Sequence, residues 1–407
     1  MKTSEAKPIG LYIHIPFCAR KCRYCDFTSY PVGDSDTHLA YVMKAIYEIW
    51  AKRALPVPGG GKKANAGKGG GVAVRDVNLG KAPLPVDTIY IGGGTPSFIE
   101  AGFVTELLDA VYAAYDVLGD AEITIEVNPG TANPEKFRRY RAAGVNRASI
   151  GAQSFDPGTL AFLGRVHTAD DTFRCFESAR DAGFRNISLD LIFGVPGQTV
   201  SAWEKDLEAA VSLSPEHISF YSLQIEEGTP LHADMDRGVF EAVDEVEDRR
   251  MYHMAKDFLE GNGLFLYEIS NSAKPGMESR HNLKYWSMAP YIGIGVSAHS
   301  YFGGRRFSNT NSLATYLTAE NHVEMTDWVH ENTLLDDMSE FIFLGLRRTA
   351  GIELSHFRGL FGKDFFELYG EETQKLIGRG LLEQSGDALR LTPLGLDLAN
   401  NVFVEYV

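Results

Sequence analysis

The chain of 407 residues has only four cysteines, and three of them fall between positions 18 and 25. That scarcity and clustering exclude a disulfide framework and point to metal or cluster binding. No apolar run approaches the roughly 18 residues that a spanning helix needs, so no transmembrane segment is expected. The start, MKTSEAKPIGLYIHIPF, lacks the charged n-region, long apolar core and small-residue cleavage site of a secretory signal, which predicts a cytoplasmic protein. Positive charge is also short, with 39 Lys and Arg against 54 Asp and Glu and a formal net charge of −15. Nonspecific nucleic-acid binding needs a concentrated basic face and is therefore not expected. What is present is ordinary globular composition, 44% hydrophobic and 23% charged, with length enough for one large α/β domain and a smaller one.

Apolar runs alternate with amphipathic segments in the manner of repeated βα units around a parallel sheet. Six strands are expected: Ile9 to Ile15, Val86 to Ile91, Glu122 to Val127, Arg147 to Ala152, Asn186 to Phe193, and His217 to Gln224. Helical periodicity covers Thr37 to Ala54, Glu100 to Val117, Pro134 to Ala143, Ala169 to Ala182 and Val200 to Leu213. The unusual residues follow the strands: the cysteines after the first, GGGTP after the second, EVNP at the third and GAQSF at the fourth. In parallel barrels sites are built at that carboxyl end.

Pro56 to Pro85 interrupts this pattern with GGGKKANAGKGGGV, too poor in large apolar groups to offset backbone ordering, and reads as a flexible surface insertion. Near Asp327 the composition shifts. Helices are expected over Leu334 to Arg348, Leu354 to Leu360 and Phe366 to Gly378, followed by a strand, a Ser385-Gly386-Asp387 turn, a second strand and a last helix. Residues 1–326 thus read as the core domain and 327–407 as a small α+β domain of winged-helix-like form, a lid or docking domain whose sparse basic residues do not suit DNA. Cys175, within a helical pattern, reads as a small buried thiol.

In FCARKCRYCDF the spacing Cys18-x3-Cys22-x2-Cys25 lets one loop present three thiols to a single cubane and leaves one of four irons unsatisfied. A closed zinc site would need a distant fourth ligand, with His14 and His38 nearby. The motif after an apolar strand resembles that of the radical S-adenosylmethionine superfamily, which implies a partial (βα)6 barrel, a 4Fe-4S cluster on these cysteines, and S-adenosylmethionine on the open iron. In that family electron transfer from the reduced cluster can cleave the sulfonium.

YIHIPFCARKCRYCDF, IGGGTPS, EVNPG, IGAQSF, GRVH and LDLIFGVPGQT occur in the order seen in the coproporphyrinogen dehydrogenase-like branch. This resemblance implies that Tyr12, Gly93 and Glu126 serve a first S-adenosylmethionine, and that Tyr24, Gly94, Thr95, Gln153, Arg165 and Asp190 serve a second ligand site. Each has a plainer reading, GGGTP as a tight turn and Arg165 with Asp190 as a structural ion pair.

Two features bear on function within the branch. Phe27 stands where the porphyrinogen dehydrogenases resemble one another in having a fourth cysteine, and the first strand begins almost at residue 9, leaving no room for the segment those enzymes carry ahead of it. His281-Asn282-Leu283-Lys284-Tyr285-Trp286 resembles the HNxxYW motif of the HemW haem chaperones. The resemblance implies a carrier that binds haem and passes it to acceptor haemoproteins, with room for a transient membrane encounter if those are respiratory. Imidazole is a common axial ligand, and Tyr and Trp can pack on a macrocycle, so His281 is the leading expected haem contact, with Asn282, Tyr285 and Trp286 beside it. A satisfied core histidine is the plainer alternative. The competing function is a radical enzyme resembling coproporphyrinogen dehydrogenase, acting on a tetrapyrrole.

Overall fold

The structure, a computed structural model, describes residues 7–53, 55 and 83–407. Most of the expected insertion lies outside the described residues, as does Ala54 at the expected end of the first helix. Of the insertion's last three positions, Pro85 already opens the second strand.

Six strands, β1 (Ile9–Ile15), β2 (Pro85–Gly93), β3 (Asp116–Val127), β4 (Arg147–Gln153), β5 (Asn186–Phe193) and β6 (His217–Ser222), run parallel and pair in chain order. Helices Ser35–Lys52, Ala101–Ala114, Pro134–Ala142, Ala169–Asp181 and Val200–Ser212 lie between them. This is the mixed α/β, partial βα barrel that the pattern implies. Covered on both faces, its strands are almost wholly buried, as in β1, where only Tyr12 is partly exposed. The helix starts are set locally: Asn133, Asp156, Thr168 and Thr199 each accept from a backbone N–H three residues on, a cap typically worth about 1 kcal/mol. β3 begins six residues earlier than expected because Asp116 and Val117 pair at once with Pro85 and Val86 and so end the preceding helix at Ala114.

Among the described residues, short strands unforeseen in the sequence widen the sheet to twelve. Antiparallel β7 (Phe265–Glu268) and β8 (Asn271–Ala273) extend it beyond β6. β9 (Tyr291–Ile294) lies parallel to β1, and β10 (His299–Tyr301), β11 (Arg305–Asn309) and β12 (Thr326–Glu331) continue antiparallel. β12 carries the large sheet through Glu331, so the domain boundary expected at 326/327 falls inside a strand, and the composition shift there marks an exposed edge.

Helices Leu334–Gly345, Leu354–Phe361 and Phe365–Gly378 then pack with a three-stranded sheet, β13 (Ile352–Glu353), β14 (Leu382–Ser385) and β15 (Ala388–Leu391), around their own core of Phe341, Ile342, Phe357, Phe365, Leu376 and Leu389. Among the described residues no helix is long and apolar enough to cross a membrane.

A fully buried network ties the first helix to β9. Glu48 pairs with Lys52 at 2.7 Å and accepts from Gly295 N–H, Asn309 Nδ2 and Tyr316 Oη, while Lys52 donates to Gly293 O at 2.8 Å.

Candidate functional site

The cysteine loop leaves β1 and returns on itself, Cys18 N–H donating to Tyr30 O at 3.1 Å and Tyr30 N–H to Pro16 O at 2.7 Å. Its middle is pinned by Arg23, which donates to Phe162 O at 2.9 Å and pairs with Asp234. Cys18 is buried, Cys22 and Cys25 are half-buried, and all three are free and border one cavity of about 520 Å³. Thr95 Oγ1 donates to Cys18 Sγ and Arg165 Nη1 to Cys22 Sγ, each at 3.4 Å. Burial pushes the Cys25 thiol up to about 11 and raises Cys18 as well. Thiolates so placed need a cation. Among the described residues no three His, Cys, Asp or Glu side chains converge on a single-ion position. The donor set therefore suits a cubane, whose thiolates bind separate irons, better than a closed zinc site.

Strand periodicity builds the rest of this cavity, because alternate residues of a strand face one side. Arg147, Ser149, Gly151 and Gln153 line it from β4, Tyr90 from β2, Glu126 and Asn128 at the end of β3, Asp190 and Ile192 from β5, and Ser219 and Tyr221 from β6. Glu126 accepts from Tyr90 Oη at 2.8 Å and from Gly93 N–H at 2.9 Å. Burial outweighs these bonds and, with repulsion from Asp190, raises its carboxyl from 4.5 to about 7. Burial likewise raises Asp190, which accepts from Ser149 at 3.1 Å. Arg165 is held by Asn128 Oδ1 at 2.7 Å and Gly151 O at 2.9 Å.

Two backbone features are specific to this wall. Gly93 has φ +108°, and a Cβ there would stand 2.5 Å from the His14 ring. Gln153, the last residue of β4, has φ +64°, strained for a side chain with no local means of stabilising it.

The structure brings Tyr24, Gly93, Gly94, Thr95, Glu126, Gln153, Arg165 and Asp190 to the cavity of the three cysteines. Tyr12 is elsewhere: its hydroxyl lies 2.9 Å from His14 Nδ1, and it borders a second cavity of about 600 Å³. The HNLKYW segment forms most of helix Arg280–Trp286 and divides between the two, Asn282 bordering the first and Tyr285 and Trp286 the second.

His281 borders neither. It is 0% exposed, its Nδ1 lies 2.8 Å from Thr88 Oγ1, its Nε2 lies 2.8 Å from Tyr285 Oη, and its ring stacks on Tyr90. Burial, then the charge of Lys284, lowers its pKa to about 3. His281 thus offers no free nitrogen to either cavity, both being engaged as in the core-histidine alternative.

Asn128, Arg147, Ser149, Ser219 and Tyr221 escaped the sequence reading, although alternation along the recognised strands was a usable signal. The second cavity's Tyr291, His299 and Arg306 lie on strands that were not foreseen.

Comparison with known proteins adds to this geometry. Residues 70–210 match the radical SAM superfamily and residues 332–398 the HemN C-terminal domain. The haem chaperone HemW of Bacillus subtilis is 37% identical over 401 residues, covering 97% of this chain and 98% of that protein. HemW of Escherichia coli is 36% identical over 330 residues, covering 79% and 80%. The mitochondrial radical S-adenosyl methionine domain-containing protein 1 of Mus musculus is 29% identical over 417 residues, covering 98% and 88%. Among solved structures, coproporphyrinogen III oxidase (HemN) from Escherichia coli superposes with a TM-score of 0.81 over 100% of this chain and 91% of that one at 21% identity, a likeness of fold.

Proposed function

From the premise that the chain belongs to the HemW family of haem chaperones within the radical SAM superfamily, we propose that it binds haem and hands it to acceptor haemoproteins, holding a 4Fe-4S cluster on Cys18, Cys22 and Cys25 with S-adenosylmethionine beside it. The observation that carries a carrier role over a porphyrinogen enzyme is Phe27. It sits on the cluster loop, 64% exposed, where the enzymes resemble one another in a cysteine.

When bound, such a cluster supplies an electron-transfer centre with one iron open to the amino and carboxylate groups of a small molecule. The chain's own residues then have separable tasks. Gly93 and Gly94 let a ligand approach the backbone, Glu126 accepts from its ammonium or hydroxyl groups, and Arg165 holds a fixed positive charge near Cys22. Tyr24, Thr95, Gln153 and Asp190 complete a second ligand position on the same wall. Asn282 faces this cavity, while Tyr285 and Trp286 offer aromatic surface to haem on the other side. The proposed compartment is the cytoplasm, where unpaired thiols persist. Respiratory acceptors would be met at the membrane only in passing.

The second reading, a radical enzyme acting on a tetrapyrrole, is favoured by the HemN-like fold alone. One anaerobic experiment separates the two. Reconstituted protein is titrated with haem, mixed with an apo-haemoprotein, and separately incubated with coproporphyrinogen III, S-adenosylmethionine and a reductant. Haem uptake and transfer without porphyrinogen conversion is expected. Stoichiometric decarboxylation with consumption of S-adenosylmethionine overturns the carrier role, and protein holding neither iron nor sulfide removes the cluster.

A further inference from the structure

The second cavity adjoins the cysteine cavity, sharing Asp26 and Phe27 with it but none of the three cysteines, and its walls suit a flat macrocycle. At about 600 Å³ it lies within the range of about 300–1,000 Å³ that encloses one ligand of drug size. The cysteine-lined cavity is of similar size and is already assigned to cluster and S-adenosylmethionine. Tyr285, Trp286, Phe343 and Leu344 line it, together with Phe27 of the cluster loop.

Two histidines border this space. His14 is closed to a metal, with Nδ1 against Tyr12 Oη and Nε2 against Thr28 O, both at 2.9 Å. His299 is different: it is exposed, and its ring makes no hydrogen bond among the described residues. It alternates on β10 with buried Ser300, which anchors the strand by accepting from Gly293 N–H at 2.9 Å, so the imidazole is held on the opposite, cavity side. Arg306 lines the same cavity, pairing with Glu340 through Nε and Nη2 at 2.6 and 2.7 Å while Nη1 keeps only a 3.4 Å contact to Tyr291 Oη.

We propose that this cavity is the haem seat, with His299 as the axial iron ligand, Tyr285 and Trp286 against the macrocycle and the free edge of Arg306 toward a propionate. The bond is a lone-pair donation from the imidazole nitrogen to iron and needs no electron transfer. This assignment rests on the haem-binding reading above.

The test titrates hemin into wild type, His299→Ala and Trp286→Leu, all with reconstituted clusters of equal iron and sulfide content. His299→Ala, at an exposed position, is expected to weaken haem at least tenfold and to shift the Soret band, and added free imidazole is expected to restore the wild-type spectrum. Trp286→Leu is expected to weaken haem while leaving the ligation spectrum unchanged. Wild-type affinity and spectrum in His299→Ala would overturn the assignment and leave the carrier reading standing. Wild type that takes up no haem would instead overturn the carrier reading.

Discussion

Glu126 should make the apoprotein lose stability as pH rises. Its carboxyl moves from 4.5 to about 7 on folding, chiefly through burial, so the folded chain holds the proton more tightly than the unfolded one. That contribution is complete below about 4.5 and is lost as pH rises through about 7. At 1.36 kcal/mol for each tenfold change in proton affinity, the difference amounts to about 3 kcal/mol between the two limits. Glu126→Gln keeps an acceptor for Tyr90 and Gly93 but removes the titration. Urea unfolding of apo wild type and variant at pH 5.5 and pH 8 is the measurement. Asp190, Asp206 and Glu268 are also raised by burial and contribute in both proteins, so only the difference between the two slopes reports Glu126. A variant slope flatter by 1–3 kcal/mol, on the order of the full effect, is expected. Ligand binding gives a second readout: a cation beside a carboxyl that is about half protonated at pH 7 drives the proton off. S-adenosylmethionine should therefore release about half a proton, seen by calorimetry in buffers of different ionisation enthalpy. Equal slopes and no proton release would refute the buried, proton-holding carboxyl.

Three further outcomes follow from particular contacts. Gly93→Ala would force a Cβ against the His14 ring at φ +108°, and a loss of S-adenosylmethionine binding with destabilisation of about 1–3 kcal/mol is expected by calorimetry and thermal melting. Glu48→Ala leaves Lys52 buried and unpaired, and should cost about 3–5 kcal/mol in denaturant unfolding; Glu48→Leu with Lys52→Met should cost clearly less. His281→Phe leaves Thr88 and Tyr285 without partners and should lower stability by about 1–3 kcal/mol. Haem affinity in that variant should change by less than the loss in His299→Ala, and the reverse order would restore His281 as the contact.

The legible part of the fold was the part with two covered faces. Strands such as β1 and β5 read as continuous apolar runs because helices lie on both sides, and that signal survives without knowledge of neighbours. β12 buries none of its residues fully and β11 opens with Arg305-Arg306, so neither shows an apolar face, and their pairing depends on partners remote in sequence. The cysteine cluster was legible because its three thiols share one loop. Arg147 and Ser149 on β4 and Tyr221 on β6 were not, because they belong to no motif and reach the cavity from strands remote from the cysteine loop. Motif order singled out Tyr12 and His281 but carried no information on side-chain direction, and neither lines the cysteine cavity.

On the proposed haem seat, that direction lets His281 act through Tyr285 rather than by contact. His281 and Tyr285 are four residues apart on one helix and so share a face. Glu122 fixes the helix start by accepting from the N–H groups of Arg280 and His281 at 3.1 Å. Thr88 on β2 then holds one imidazole nitrogen, and the other meets the Tyr285 hydroxyl. The chain of contacts from β2 through His281 sets the Tyr285 ring at the edge of the second cavity, next to Trp286, while Asn282 on the adjoining face meets the first. A residue buried in this way acts through the aromatic wall it positions. Its replacement should therefore blur the haem spectrum and lower stability together, whereas loss of an iron ligand changes the spectrum and the haem affinity and leaves stability in place.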